Sequence, residues 1–256
     1  MTTIGVLRAS DTEMEIIASQ LNRPEAILFD MGGVLQDASV TWSADSWQHG
    51  APADLERPEP FDWFLAMSKD CLERFLALKP PRPVMDVRPV IAEWLRKNGG
   101  EPSPDAIAHW FRYMLWWESQ PIYGFVRPAL DRLRQMGFRM GVVSNTLMPG
   151  DGLRANFAQA GILEYFDAIV FSAEVGVNKP DPRIFDAALD TMGVRPDAAW
   201  FVGDKPQRDV LGAHRAGMTA VLVDSEHAGR VHDSPAHMPE VRIRDISELP
   251  EVCATL

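Results

Sequence analysis

With 256 residues, 46% of them hydrophobic and 24% charged, the chain has ordinary globular composition and enough length to bury a full core. Its net charge of −11 repels a phosphate backbone, which argues against nucleic acid as a partner but leaves room for a small anion in a local cationic pocket. Two cysteines, Cys71 and Cys253, are too few for a disulfide framework. With no N-terminal leader pattern and no run approaching the ~18 apolar residues of a membrane span, a cytoplasmic protein without a membrane partner is expected.

Residues 1–24 read as an N-terminal extension. Ser10 and Glu13 have capping-box spacing ahead of Met14, Ile16, Ile17 and Leu21, which predicts one amphipathic helix. Residues 26–29 form a short apolar run that ends at Asp30, the pattern of a buried parallel strand. Similar runs follow at 140–143, 168–171, 199–202 and 220–223, and 241–243 adds a last strand. Helical segments at 128–136, 182–192 and 207–216 separate them, each closed by a glycine: Gly137, Gly193 and Gly217. This alternation predicts right-handed crossovers and an α/β fold with a Rossmann-like, doubly wound parallel sheet. Residues 228–240, rich in His, Pro and polar side chains, read as loop.

The segment between the first two strands is far too long for one crossover. Phe61, Phe64, Leu65, Cys71, Leu72, Phe75 and Leu76 recur at helical spacing. A helix at 86–97 stops at Asn98-Gly99-Gly100, and Ser103-Pro104-Asp105 starts another with Trp110, Phe111, Met114 and Leu115 on its apolar face. Seven of the eight tryptophans fall in this insert, so it is expected to be a small helical bundle with an aromatic core. The expected organisation is an extension at 1–24, a core at 25–40 and 122–256, and a helical cap at 41–121. Hinges are expected at 37–42 and 121–127, so that the cap closes over a site and excludes water.

Four features sit beyond the carboxyl ends of predicted strands, where open parallel sheets bind ligands. They are Asp30-Met31-Gly32-Gly33, Ser144-Asn145, Lys179-Pro180, and Gly203-Asp204 followed by Asp209. Converging carboxylates repel one another, and a hard divalent cation such as Mg²⁺ removes that penalty by taking oxygen ligands. Asp30, held and ionised, can attack phosphorus and split one hard displacement into two easier ones. Lys179 can neutralise the transferring group, and Ser144 can hydrogen-bond one of its oxygens. Gly32 and Gly33 let the backbone approach a ligand and offer amides to it, with Asn145 beside them.

On these residues the chain resembles the haloacid dehalogenase superfamily, in its phosphatase-like branch. The matching segments are Phe29-Asp-Met-Gly-Gly-Val-Leu35, Val142-Val-Ser-Asn-Thr146, Lys179-Pro-Asp-Pro-Arg-Ile-Phe185, Val202-Gly-Asp204 to Asp209, and Ala213-His-Arg-Ala-Gly217. The resemblance implies strand order 5-4-1-2-3, a helical cap between the first two motifs, and an aspartyl-enzyme intermediate on Asp30. It implies Mg²⁺ held by Asp30, the Gly32 carbonyl and Asp204, with Asp209 as a ligand or just behind. The implied substrate is a small phosphorylated metabolite, and the implied assembly a monomer or homodimer.

One position departs from the pattern. Gly32 stands where most family phosphatases carry a second Asp as general acid and base, help typically worth ~10²–10⁴ in rate. Three readings follow. The substrate has a good leaving group, or another group, with Asp37, His49 or a cap residue as candidates, supplies the proton. Alternatively, the bond cleaved is carbon–halogen or carbon–phosphorus, the latter requiring a cap lysine such as Lys69. Or the protein is a non-catalytic binder of phosphate compounds. Candidates for choosing the substrate are Trp42, His49, Arg112, Trp116 and Trp117, and only one of the adjacent pair Trp116 and Trp117 can face the cap's own core.

Overall fold

A computed structural model describes residues 21–37, 61–79, 85–224 and 234–256. The helix expected before residue 21, and the candidates Trp42 and His49, lie outside them. Six strands, β1 (Ala26–Phe29), β2 (Arg139–Ser144), β3 (Ala168–Phe171), β4 (Ala199–Gly203), β5 (Thr219–Val223) and β6 (Val241–Ile243), form one sheet in the order β3-β2-β1-β4-β5-β6. Every pairing is parallel. Read from the other edge, this is the expected order with β6 added outside.

Parallel strands need cover on both faces, and β1 shows how the sequence meets that need. Its four residues are fully buried. Ile27 and Phe29 point to one face, among Leu130, Phe171 and Val202. Ala26 and Leu28 point to the other, among Ile184, Phe185 and Phe201.

The insert contributes α1 (Phe61–Ala77), α2 (Arg88–Lys97) and α3 (Pro104–Glu118), and the core contributes α4 (Val126–Gln135), α5 (Gly150–Gln159), α6 (Ser172–Val175), α7 (Pro182–Met192), α8 (Leu211–Ala216) and α9 (Leu249–Ala254). Local chemistry sets the ends of α7. Asp181 accepts from Arg183 N at 3.1 Å, Pro182 fills the first turn, and Gly193 leaves the helix at φ +63°. The helix expected at 207–216 is instead a π-helical turn, Pro206–Val210, leading into α8. The expected loop at 228–240 contains a short 3₁₀ turn at Pro235–His237. Helices α5, α6 and α9 were not legible as periodic segments, being short or weakly amphipathic.

The insert's core gathers Phe64, Met67, Cys71, Ile91, Trp94, Trp110, Tyr113 and Trp117. Leu72 and Leu76, expected on that apolar face, are instead 45% and 52% exposed. A 17-residue helix with more apolar positions than its neighbours can cover leaves the excess outside. Trp94, Trp110 and Trp117 are buried, whereas Trp63 is exposed and Trp116 half-buried. The two chain crossings between insert and sheet run side by side: Asp37 N donates to Pro121 O at 2.9 Å, and Gln36 bridges Ile122.

Candidate active site

The parallel register puts the chemistry at one sheet end. Phe29 pairs with Val142 on one side and with Val202 on the other. Asp30, one residue on, is therefore level with Val143 and Gly203, and Ser144 and Asp204 come one step later. Asp30 N donates to Val202 O at 2.8 Å, so the chain is still hydrogen-bonded as a strand where the carboxylate leaves it.

Asp30, Lys179, Asp204 and Asp209 are each no more than 4% exposed. Lys179 Nζ lies 2.8 Å from Asp30 Oδ1 and 2.9 Å from Asp209 Oδ1. Both contacts are close, buried ion pairs. The Lys179 ammonium also stands 4.9 Å from the centre of the Phe201 ring. Asp209 Oδ2 accepts from the backbone amides of Asp204 and Lys205, at 3.1 and 2.8 Å, and so shapes the turn that carries Asp204. Lys205 Nζ sits 2.6 Å from Asp204 Oδ2. Asp204 Oδ1 is buried and has no hydrogen-bond partner among the described residues.

Crowding of these anions shows in their acidity. Burial, then the nearby charges of Asp30 and Asp209, push the Asp204 carboxyl up to about 6. Burial also raises Asp209, with Lys179 opposing it. One carboxylate oxygen from each of Asp30, Asp204 and Asp209 lies within 4.8 Å of the others. Three hard carboxylate donors, together with an Asp204 oxygen left without a hydrogen-bond partner, suit a small divalent cation.

Two glycines make the crowding possible. A Cβ on Gly33, which sits at φ +80°, would lie 2.5 Å from Asp204 Oδ2. A Cβ on Gly203 would lie 2.3 Å from that of Asp209. Gly32 differs: a Cβ there meets nothing within 4 Å, and its φ is not in the left-handed region. Sterics do not forbid a side chain at position 32.

Ser144 ends β2 and is buried. Asn145 turns its side chain to the backbone of Lys179, accepting from Lys179 N at 2.8 Å and donating to Lys179 O at 3.1 Å. That amide fixes the backbone of the lysine. Asp37 lies at the crossing between insert and core. Arg112 is exposed on α3. The Lys69 side chain is 76% exposed and 3.9 Å from Glu73, a solvated helix face. Sequence reasoning passed over Lys205, whose place beside Gly203-Asp204 was a usable signal. It also passed over Glu118 and Ser172, which link insert to core through Thr146 and have no local pattern.

An open parallel α/β sheet with a helical insert after β1 and a carboxylate–lysine cluster at its carboxyl end defines a hydrolase. The family model for haloacid dehalogenase-like hydrolases matches residues 24–217, and the chain belongs to that family. It is 35% identical to the phosphoserine phosphatase of Thermus thermophilus over 162 residues, covering 62% of each chain. It is 42% identical to the glyceraldehyde 3-phosphate phosphatase of Methanothermobacter thermautotrophicus over 128 residues, 48% of this chain and 55% of that one. The matches thus span less than two thirds of these relatives. A solved 2-haloacid dehalogenase from Pseudomonas syringae superposes with a TM-score of 0.65 at 25% identity, covering 90% of this chain and 98% of that one.

Proposed function

We propose that the protein is a Mg²⁺-dependent phosphatase of small phosphorylated metabolites that acts through an aspartyl-phosphate on Asp30. The observation that carries this reading is the buried convergence of Asp30, Asp204 and Asp209 around Lys179. Both curated relatives described above carry the name of a phosphatase of a small metabolite, which supports the substrate class. The carboxylates of Asp30 and Asp204 and the Gly32 carbonyl would hold the metal. Asp209, whose Oδ2 is taken by backbone amides, has only Oδ1 to offer. Bound there, Mg²⁺ would offset the converging carboxylates and polarise the phosphoryl oxygens.

The chain's own residues carry the displacement. An Asp30 carboxylate oxygen attacks phosphorus as the bond from phosphorus to the leaving oxygen breaks. Water then cleaves the acyl phosphate, releasing inorganic phosphate and restoring Asp30. Lys179 holds Asp30 in place and offsets charge on the transferring group, while the Ser144 hydroxyl donates to one of its oxygens. With Gly32 in place of an acid, the leaving group departs as an anion, which favours acyl phosphates and other activated esters. The two free, buried cysteines fit a reducing, cytoplasmic setting. No helix among the described residues is long and apolar enough to cross a membrane.

Incubation with acetyl phosphate or p-nitrophenyl phosphate plus Mg²⁺ should show turnover that Asp30→Asn lowers by at least about 10⁴-fold. If a broad panel of activated phosphoesters gives no Asp30-dependent turnover, the reading is lost. Gly32→Asp, for which there is space, should raise activity on esters with poor leaving groups by about 10²-fold. No change, with the fold intact, would mean another residue already supplies the proton.

The absent acid and the similarity to a 2-haloacid dehalogenase favour carbon–halogen hydrolysis as a second reading. Halide release from a 2-haloacid in excess EDTA would support it. The orphaned Asp204 oxygen weighs against a metal-free site.

A further inference from the structure

Glu118 is the last residue of α3, where the negative end of the helix dipole disfavours a carboxylate, and the last turn holds no basic side chain to offset it. Nor is the charge turned to solvent. Burial raises the pKa of its carboxyl, against three donors that favour the anion. Oε1 accepts from Leu147 N at 3.1 Å, and Oε2 accepts from Met148 N at 3.3 Å and from the Thr146 hydroxyl. A hydroxyl has one proton, so that of Thr146 is committed to Glu118, while its oxygen accepts from Met148 N at 3.0 Å. On its other side, Thr146 N donates to Ser172 Oγ at 2.9 Å, and Ser172 Oγ donates to Thr146 O at 3.1 Å.

Thr146 is thus pinned from insert and core together, one residue past Asn145 and two past Ser144. Asn145 in turn clamps the Lys179 backbone. The side chains of Leu147 and Met148 pack into the insert's own aromatic cluster. The loop that leaves β2 therefore belongs to the cap and to the reaction centre at once.

We propose that Glu118 is a positioning residue that locks the end of the cap to loop 145–148, so that seating of the cap and placement of Ser144, Asn145 and Lys179 are one event. It does not replace the acid missing at position 32. Both of its oxygens are occupied by donors, which leaves no proton facing a leaving group. The catalytic consequence rests on the phosphatase reading, whereas the loop coupling does not.

The test uses the full chain with acetyl phosphate and Mg²⁺, and backbone amide exchange in parallel. Glu118→Ala should lower kcat by about 100-fold with KM changed less than about twofold, the signature of misplacement without lost substrate contact. Glu118→Gln, which keeps the shape and one acceptor, should lose only about tenfold, and Thr146→Val, which removes just the hydroxyl, a similar amount. In all three, exchange at Leu147 and Met148 should speed up by about tenfold or more while Val142 and Val143 stay protected. Asn156→Ala removes a separate cap–core bond, Asn156 Nδ2 to Gln120 O at 3.1 Å, and should leave exchange at Leu147 and Met148 unchanged.

If Glu118→Ala only lowers the melting temperature, with kcat and loop exchange unchanged, the residue is merely structural and the proposal fails. A raised KM at constant kcat would also overturn it. Should Glu118→Ala not fold, Glu118→Gln and Thr146→Val decide alone. Absence of turnover in the unmodified protein defeats the phosphatase reading, and loop exchange then decides the coupling by itself.

Discussion

At the carboxyl end of the sheet, Asp30, Lys179, Asp204 and Asp209 are buried together, with one carboxylate oxygen unpartnered. In the insert, the core is Trp94, Trp110, Tyr113 and Trp117 with aliphatic neighbours, and that cluster holds no charged residue. Burying charge opposes folding unless every charge is paired, whereas burying aromatic surface drives it. The site is therefore held in place by its surroundings, and the insert holds itself. Changes in the first region should spare or even raise stability while removing chemistry, and changes in the second should do the reverse.

The largest effect is expected in the insert. Trp110 is 4% exposed and its ring centroid lies 5.9 Å from that of Trp94. Trp110→Ala should cost about 4 kcal/mol in urea denaturation. A loss below about 1 kcal/mol would mean a loosely packed insert and would break the contrast.

Next comes the lysine that neutralises the site. Lys179→Met leaves Asp30 and Asp209 buried without their cation and should cost about 3 kcal/mol, read in the same assay, besides removing turnover. This is the one change at the site expected to lower stability, and it separates loss of the cation from loss of an anion.

Removing an anion should do the opposite. The Asp204 carboxyl is raised from 3.8 to about 6 in the folded chain, so its ionised form disfavours folding above pH 6, and the penalty is relieved as pH falls through that value. Without metal, Asp204→Asn should gain about 1 kcal/mol at pH 7 and lose turnover. The proposed function requires Mg²⁺ to raise the melting temperature of the unmodified protein, and Asp204→Asn should abolish that rise. A destabilised Asn variant would show that the pair with Lys205 outweighs the crowding.

The smallest effect lies away from both regions. Both ring nitrogens of His214 face acceptors at 3.1 Å, Ala236 O and Glu240 Oε2, an arrangement that asks for the doubly protonated ring. The hydrogen bond to Glu240 raises the pKa of the ring above its ordinary 6.5. The stabilisation is therefore complete below pH 6.5 and lost as pH rises through the raised folded value. The melting-temperature difference between the unmodified protein and His214→Gln should be larger at pH 5.5 than at pH 8.5, by a few degrees at most. An equal difference at both would remove the ion pair as its cause.

The strands were legible because a buried parallel strand leaves a short apolar run of its own, and Ala26–Phe29 and Ala168–Phe171 stand in the structure with the bounds read from the chain. Asp30, Ser144 and Asp204 were legible as candidates because each stands at the carboxyl end of a strand, where open sheets bind ligands, whereas Lys179 lies beyond the helix that follows β3 and is brought to Asp30 by the fold. Composition likewise announced an aromatic bundle in the insert. It did not say which tryptophans point inward, since that depends on which helix lies opposite: Trp117 is buried and Trp116, next to it, is not.

Only the tertiary structure decided which partner each charged group would take. Lys179 lies between Asp30 and Asp209, Asn145 holds the Lys179 backbone, and Glu118 meets three donors from a loop about thirty residues away. Secondary structure is written in local periodicity, which one stretch of chain specifies by itself. Pairings among buried polar groups depend on which segments the closed fold brings within 3 Å or so, and no local pattern records that distance.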